Sequence, residues 1–313
     1  MYRQFLRDSK PSVQLLFTGF VILVSGLFVT LSGILLGWLF FGVSPSEMEG
    51  LMKDLLNTDH LSVLKFYQTI QSIGVFVIPP FIIAWFLNDN PTAFLQFEKK
   101  PLLKSVFLVI GIIYFANPFI NWLTEMNSKL SLPDWMNAVE IWMQNTENQA
   151  SKITKAFLSA PSYTTLLINI VMIGVLPAFG EELLFRGIIQ QLLKKKFNNA
   201  HLAIWISAAL FSALHLQFFG FLPRLVLGAM FGYMLEWSSS LWLPVIAHFV
   251  NNATAVVAYY LMQRKLIGDT LEKTGTSSDG SFHMVIVSIL FLSLFFRALY
   301  LLKTPASRPT TDN

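Results

Sequence analysis

Residues 164–193 form an almost unbroken apolar run of Leu, Ile, Val, Phe, Met, Ala and Gly, and inside it sit Glu181, Glu182 and Arg186. About 20 such residues suffice to cross a bilayer as a helix. In lipid every backbone polar group must be satisfied internally, so a run of this kind spans either as a helix or as part of a closed barrel. The other apolar blocks are also of spanning length, roughly 18–30 residues, and lack the ~10-residue alternation of barrel strands. The expected fold class is therefore all-α: a polytopic membrane helical bundle of about eight transmembrane helices. Composition agrees, with 54% hydrophobic and only 13% charged residues, against about 25% charged in an ordinary soluble domain.

The eight expected spans cover residues 13–41, 66–87, 102–123, 164–193, 200–219, 221–237, 241–262 and 284–302. Pro79-Pro80 should kink the second, and Asn117-Pro118 should interrupt the third. The longest polar segment, 124–162, holds Trp135, Met136, Val139, Ile141, Trp142 and Met143 among polar neighbours, the pattern of an amphipathic helix at the membrane interface. The 42–65 stretch, with Glu47, Glu49, Asp54 and Asp59, reads as a loop with room for a short surface helix, and the tail from Lys303 as disordered. Three regions follow: 1–163 with the N-terminal spans and extracytoplasmic loops, 164–262 as the core that carries the in-span charges, and 263–313 with a loop, the last span and the tail. The first apolar stretch is too long for the core of a signal peptide and no small-residue cleavage site follows it, so an uncleaved first span is expected.

Basic residues flank the short loops on one side: Arg3, Arg7 and Lys10, then Lys99, Lys100 and Lys104, then Lys194-Lys195-Lys196. That bias favours a multi-pass protein of the cytoplasmic membrane with both termini inside. The absence of cysteine excludes disulfides, thiolate metal sites and thiol nucleophiles. A net charge of only +4, spread over loop ends, excludes nucleic acid as a partner. The lipid bilayer is the first partner expected.

Charges at membrane depth are costly and mark function by default. Glu182 and Arg186 are i,i+4 and share a helix face, while Glu181 lies about 100° further round. Pro177, one turn earlier, frees a backbone carbonyl and can bend the helix. Alone, the Glu–Arg pair also reads as a packing lock. His215 follows Phe211 by four residues, and His248 precedes Asn252 by four. Singly, these are compatible with hydrogen-bond glue between helices. His60, His201 and His283 fall in loops or at span boundaries. Together, the acid pair, two in-span histidines and Asn252 make a hydrolytic set: a carboxylate to take a proton from water, an imidazole to position it or protonate the leaving amine, and an amide for the oxyanion. G-x-S-x-G and H-E-x-x-H are absent. Helical arithmetic puts Glu181 ~20 Å from the triple lysine and His215 about as far from residue 200, but His248 only ~10 Å from Leu241. Either the seventh span starts deep after a dipping Ser238-Ser239-Ser240 loop, or the site is slanted.

These residues resemble the CPBP family, which joins the type II CAAX prenyl endopeptidases to bacteriocin-processing and abortive-infection-like membrane proteins. Its three motifs are similar to Glu181-Glu182-Leu-Leu-Phe-Arg186, to Phe211 through His215, and to His248 through Asn252, in order, within residues 164–257. The resemblance implies an intramembrane protease with a chamber inside the bundle. It implies Glu181 as general base, Glu182 and Arg186 as its support, His215 and His248 orienting water and substrate, and Asn252 at the oxyanion. It allows a zinc site on Glu181, His215 and His248, and equally a cofactor-free glutamate mechanism, which the prenyl-protease branch favours. The substrate would be a peptide or protein in or at the membrane, of prenyl or leader type. Two other classes stay open: a non-catalytic scaffold or regulatory protein retaining the motifs, and a proton-coupled transporter, although no repeated halves are visible.

Overall fold

In the computed structural model, residues 2–47, 50–51 and 57–303 are described. Glu49, Asp54 and the tail beyond Lys303 lie outside them. A short helix α1 (Tyr2–Asp8) precedes α2 (Pro11–Phe41). Then come α3 (His60–Leu87), α4 (Leu103–Ser128), α5 (Asn137–Leu158) and α6 (Tyr163–Phe197). The chain closes with α7 (Ala200–Ala213), α8 (Phe221–Ser238), α9 (Trp242–Gln263) and α10 (Phe282–Leu301). No strand occurs among the described residues. The protein is a polytopic helical membrane bundle.

Among the described residues, seven helices are long and apolar enough to cross a membrane, and the fifth expected span is not one of them. Its helix, α7, stops at Ala213, and its 14 residues reach only ~21 Å, short of the ~30 Å hydrocarbon core. Yet α7 still makes a traverse. Gln14, Lys194, Ser239 and Lys303 line one cavity, so the start of α2, the triple lysine, the α8–α9 turn and the end of α10 all lie at one end of the bundle. The salt bridge of Lys194 with Glu236, at 2.7 Å, marks the same level.

The seventh span does start deep. The Leu241 side chain reaches to within 3.9 Å of where a Cβ on Gly187 would stand, and Gly187 is seven residues, ~10 Å, along α6 from Lys194. His248 is seven residues further along α9, which brings it to the ~20 Å level of Glu181. The 88–100 loop holds this start in place: Leu241 N–H donates to Gln96 O at 3.1 Å and Trp242 Nε1 to Phe97 O at 3.1 Å.

Prolines inside spans are accommodated without breaks. Ahead of Pro79-Pro80, α3 widens into a π-helical turn over Ile73–Val77, and Ser25 Oγ donates to Gly74 O at 2.7 Å. The expected interruption at Pro118 does not occur; α4 runs through it. The side chains of Asn117 and Asn121 there donate to Leu271 O, tying the 264–281 loop onto the helix. In α6, a π turn over Ile170–Val175 leads into Pro177, and a second over Phe185–Gln190 follows the acid pair. Proline lacks the N–H that would reach Ile173 O one turn back. Asn252 Nδ2 of α9 donates to that carbonyl at 3.0 Å.

The close approach of α2 to α3 depends on Gly74. A Cβ there would stand 2.5 Å from Val29 Cβ and 2.7 Å from Val29 Cγ1. Overpacking of this kind costs about 1–3 kcal/mol. Gly74→Ala should therefore lower the unfolding midpoint in detergent. Gly19→Ala, with nothing within 4 Å, is the control and should not move it.

Candidate active site

The site is organised around one buried carboxylate. Glu182 and Arg186 are both 0% exposed, and Arg186 Nη1 donates to Glu182 Oε1 at 2.9 Å. Arg186 Nη2 donates across to Gly228 O on α8 at 2.8 Å. The guanidinium lies over Phe211 at 4.8 Å and Phe231 at 5.5 Å from the ring centres. Such cation–π contacts are strongest where water is excluded. The same Glu182 Oε1 accepts from His248 Nδ1 at 2.9 Å. A carboxylate can only accept here, so the Nδ1 proton of His248 is assigned, and in the neutral ring Nε2 carries the lone pair. Phe231 stacks on the His248 ring at 5.1 Å and 19°.

Glu181 is turned the other way, as the 100° step predicts. Its Oε2 stands 3.9 Å from His248 Nε2. That is too long for a direct hydrogen bond and suits one bridging water. Both groups line a cavity of about 540 Å³ together with His215, Asn251 and Asn252. His215 is one residue beyond the C-cap of α7 and exposed at this wall. Its Nδ1 donates to Phe211 O at 2.8 Å, which turns Nε2 away from the helix. The Phe211 ring meets both imidazoles edge-on, at 5.0 Å to His215 and 6.0 Å to His248.

All six residues singled out in the sequence thus belong to one neighbourhood, but not on equal terms. Glu181, Glu182, Arg186 and His248 are linked by contacts within 4 Å. His215 shares the cavity wall. Asn252 uses one amide N–H on Ile173 O, while its Oδ1 accepts from Asn251 Nδ2 at 3.1 Å. Among the described residues, no three His, Asp or Glu side chains stand together at ligand spacing. The Glu181, His215 and His248 set does not fit a three-ligand metal site in this arrangement.

Several residues of the site and its cavity escaped the sequence reading. Gly228 and Phe231 carry only a packing signal. Gln68, Ser72 and Phe76 of α3, and Ala150, Ile153 and Thr154 of α5, form the facing wall. The amphipathic α5 is therefore part of the chamber as well as an interfacial helix. Arg224 also lines the cavity. It did have a signal: it is the only Lys, Arg, Asp or Glu between Lys196 and Glu236, inside an apolar span.

Comparison with known proteins bears on the stretch that carries these residues. Residues 163–254 match the family model described as type II CAAX prenyl endopeptidase Rce1-like. That stretch is Rce1-like. The match encloses all three motifs and bears out the resemblance drawn from them, and the family is one of membrane proteases. Over 89 residues, 27% of this chain, the protein is also 32% identical to the uncharacterized protein YpbD of Bacillus subtilis (strain 168). The shared region spans 42% of that relative's length. No solved structure matches.

Removing Arg186 would leave Glu182 buried with a single partner. Breaking a buried pair from one side costs about 3–5 kcal/mol. Arg186→Ala should lower the unfolding midpoint by the corresponding amount. Arg186→Lys should recover little, since a single ammonium cannot reproduce the two-pronged bonding to Glu182 and Gly228 or the ring contacts. Thermal denaturation of the purified protein in detergent checks both.

Proposed function

We propose that this protein is an intramembrane endopeptidase in which Glu181 activates a water molecule. The observation that carries the reading is the division of the acid pair. Glu182 is committed to Arg186 and His248, whereas Glu181 faces the cavity, opposite an imidazole lone pair at 3.9 Å. A water held between Glu181 and His248 Nε2 donates a hydrogen bond to each and turns its own lone pairs outward. A peptide carbonyl lying against them is attacked as Glu181 takes the water proton. The C–N bond then breaks, and the proton passes from Glu181 to the leaving amine. His215 Nε2 is free to orient the substrate or the leaving group, and the remaining N–H of Asn252 to stabilise the oxyanion. Glu182 keeps His248 in the required tautomer.

The substrate is a membrane-associated peptide or protein, of prenyl- or leader-bearing type, which reaches the chamber from the bilayer. The lysine-rich end of the bundle faces the cytoplasm, with both termini on that side. Chelation leaves this chemistry intact.

Release of peptide from a panel of membrane-anchored substrates in proteoliposomes tests the reading. Loss of a general base costs about 10²–10⁴-fold, so Glu181→Gln should lose cleavage to that extent while keeping the wild-type unfolding midpoint. A chelator should leave wild-type cleavage unchanged. Full activity in Glu181→Gln would end the assignment, and loss of activity on chelation, restored by zinc, would replace the cofactor-free route.

A further inference from the structure

The cavity holds a second arginine whose surroundings differ from those of Arg186. Arg224 is in the first turn of α8, four residues before Gly228 and seven before Phe231, on one helix face. Gly228 carries the Arg186 contact and Phe231 the His248 contact, so this face of α8 runs from the reacting groups to Arg224. The guanidinium is held by neutral acceptors. Nη1 donates to Gln217 O at 3.0 Å, and Nη2 to Gln217 Oε1. Gly220 leaves it room, since a Cβ there would stand 2.6 Å from Nη2. The carboxylates whose fields reach it are Glu147 and Glu181. Glu147 instead accepts from the Phe219 N–H at 3.3 Å, and Glu181 faces His248. Among the described residues no carboxylate forms an ion pair with Arg224.

A positioned guanidinium on a chamber wall, with its charge unmatched at close range, is suited to a carboxylate. From Arg224 to the level of Gly228 and Phe231 is ~6–10 Å along α8, or two to three residues of extended peptide. We propose that Arg224 binds a carboxylate of the substrate two to three residues from the scissile bond and so selects acidic over neutral peptides. This inference rests on the peptidase reading. Gln217 is a positioning residue for the guanidinium.

The experiment measures binding first, so that its result is separable from cleavage. In the Glu181→Gln protein in detergent, fluorescence anisotropy compares four labelled apolar peptides. One has a free C-terminus, one a C-terminal amide, one an amide with Glu near the end, and one an amide with Gln there. The expected result is at least a tenfold preference for a carboxylate over its neutral partner, abolished by Arg224→Gln. Preference confined to the free terminus assigns the α-carboxylate, and preference confined to Glu assigns a side chain. Arg224→Glu should turn the preference toward a Lys-bearing peptide, which a misfolded protein would not do. Equal binding of acidic and neutral peptides, or a preference that survives Arg224→Gln, overturns the proposal. Cleavage of the same peptides by wild type reports on the peptidase reading separately: cleavage without preference sinks only the role of Arg224, and preference without cleavage sinks only the peptidase.

Discussion

One oxygen, Glu182 Oε1, holds three helices in a fixed relation. It accepts from Arg186 on its own helix and from His248 on α9. Arg186 in turn reaches a backbone carbonyl of α8. A fully buried carboxylate is tolerable only when it is paired and hydrogen-bonded. That requirement makes the cluster an orienting device: any shift of α8 or α9 against α6 would break a charge-assisted bond between buried groups. The same requirement withdraws Glu182 from chemistry. Its neighbour Glu181, one residue along, has neither the arginine nor the imidazole proton, and its carboxylate remains on the cavity wall.

The helices can meet this closely because irregular backbone is placed where neighbours satisfy it. The π turns flanking the acid pair bracket a short α segment, Leu176–Leu184. Such turns often accompany functional sites. Pro177 exposes the Ile173 carbonyl toward the chamber, and Asn252 covers it. The last motif residue is thus first a structural complement to a proline. Its position four residues after His248 puts both on the face of α9 that meets α6.

Much of this arrangement is legible in the sequence because spacing of i,i+4 on a helix is itself geometry. Glu182 with Arg186, Phe211 with His215, and His248 with Asn252 each fall on one helix face by spacing alone. The opposed directions of Glu181 and Glu182 follow from the same 100° step. What spacing cannot encode is depth and partner. The short α7 reads as a full span because its turn, Leu214 through Phe219, is itself apolar apart from His215 and Gln217. The deep start of α9 depends on the 88–100 loop, some 140 residues away in sequence. The wall formed by Gln68, Ser72 and Thr154 carries no charge and no motif. Arg224 is visible as a lone charge in an apolar span, the criterion that picks out Arg186, but no i±4 partner marks it.

The charges of the chamber form a balanced set in which distance decides role. Glu181 and Glu182 face Arg186 and Arg224, with Glu147 also within reach of Arg224, so opposite charges offset one another and burial is less costly than that of a single ion. The pairing is uneven. Arg186 stands at hydrogen-bond distance from Glu182. Arg224 is turned to Gln217, and its field reaches Glu181 without an ion pair among the described residues. A carboxylate buried against a guanidinium and an imidazole, away from the cavity, is a poor base because substrate and water do not reach it. One balanced only at longer range keeps its oxygens available while the net charge stays compensated. The second arginine therefore offsets part of the charge of a carboxylate left free on the chamber wall.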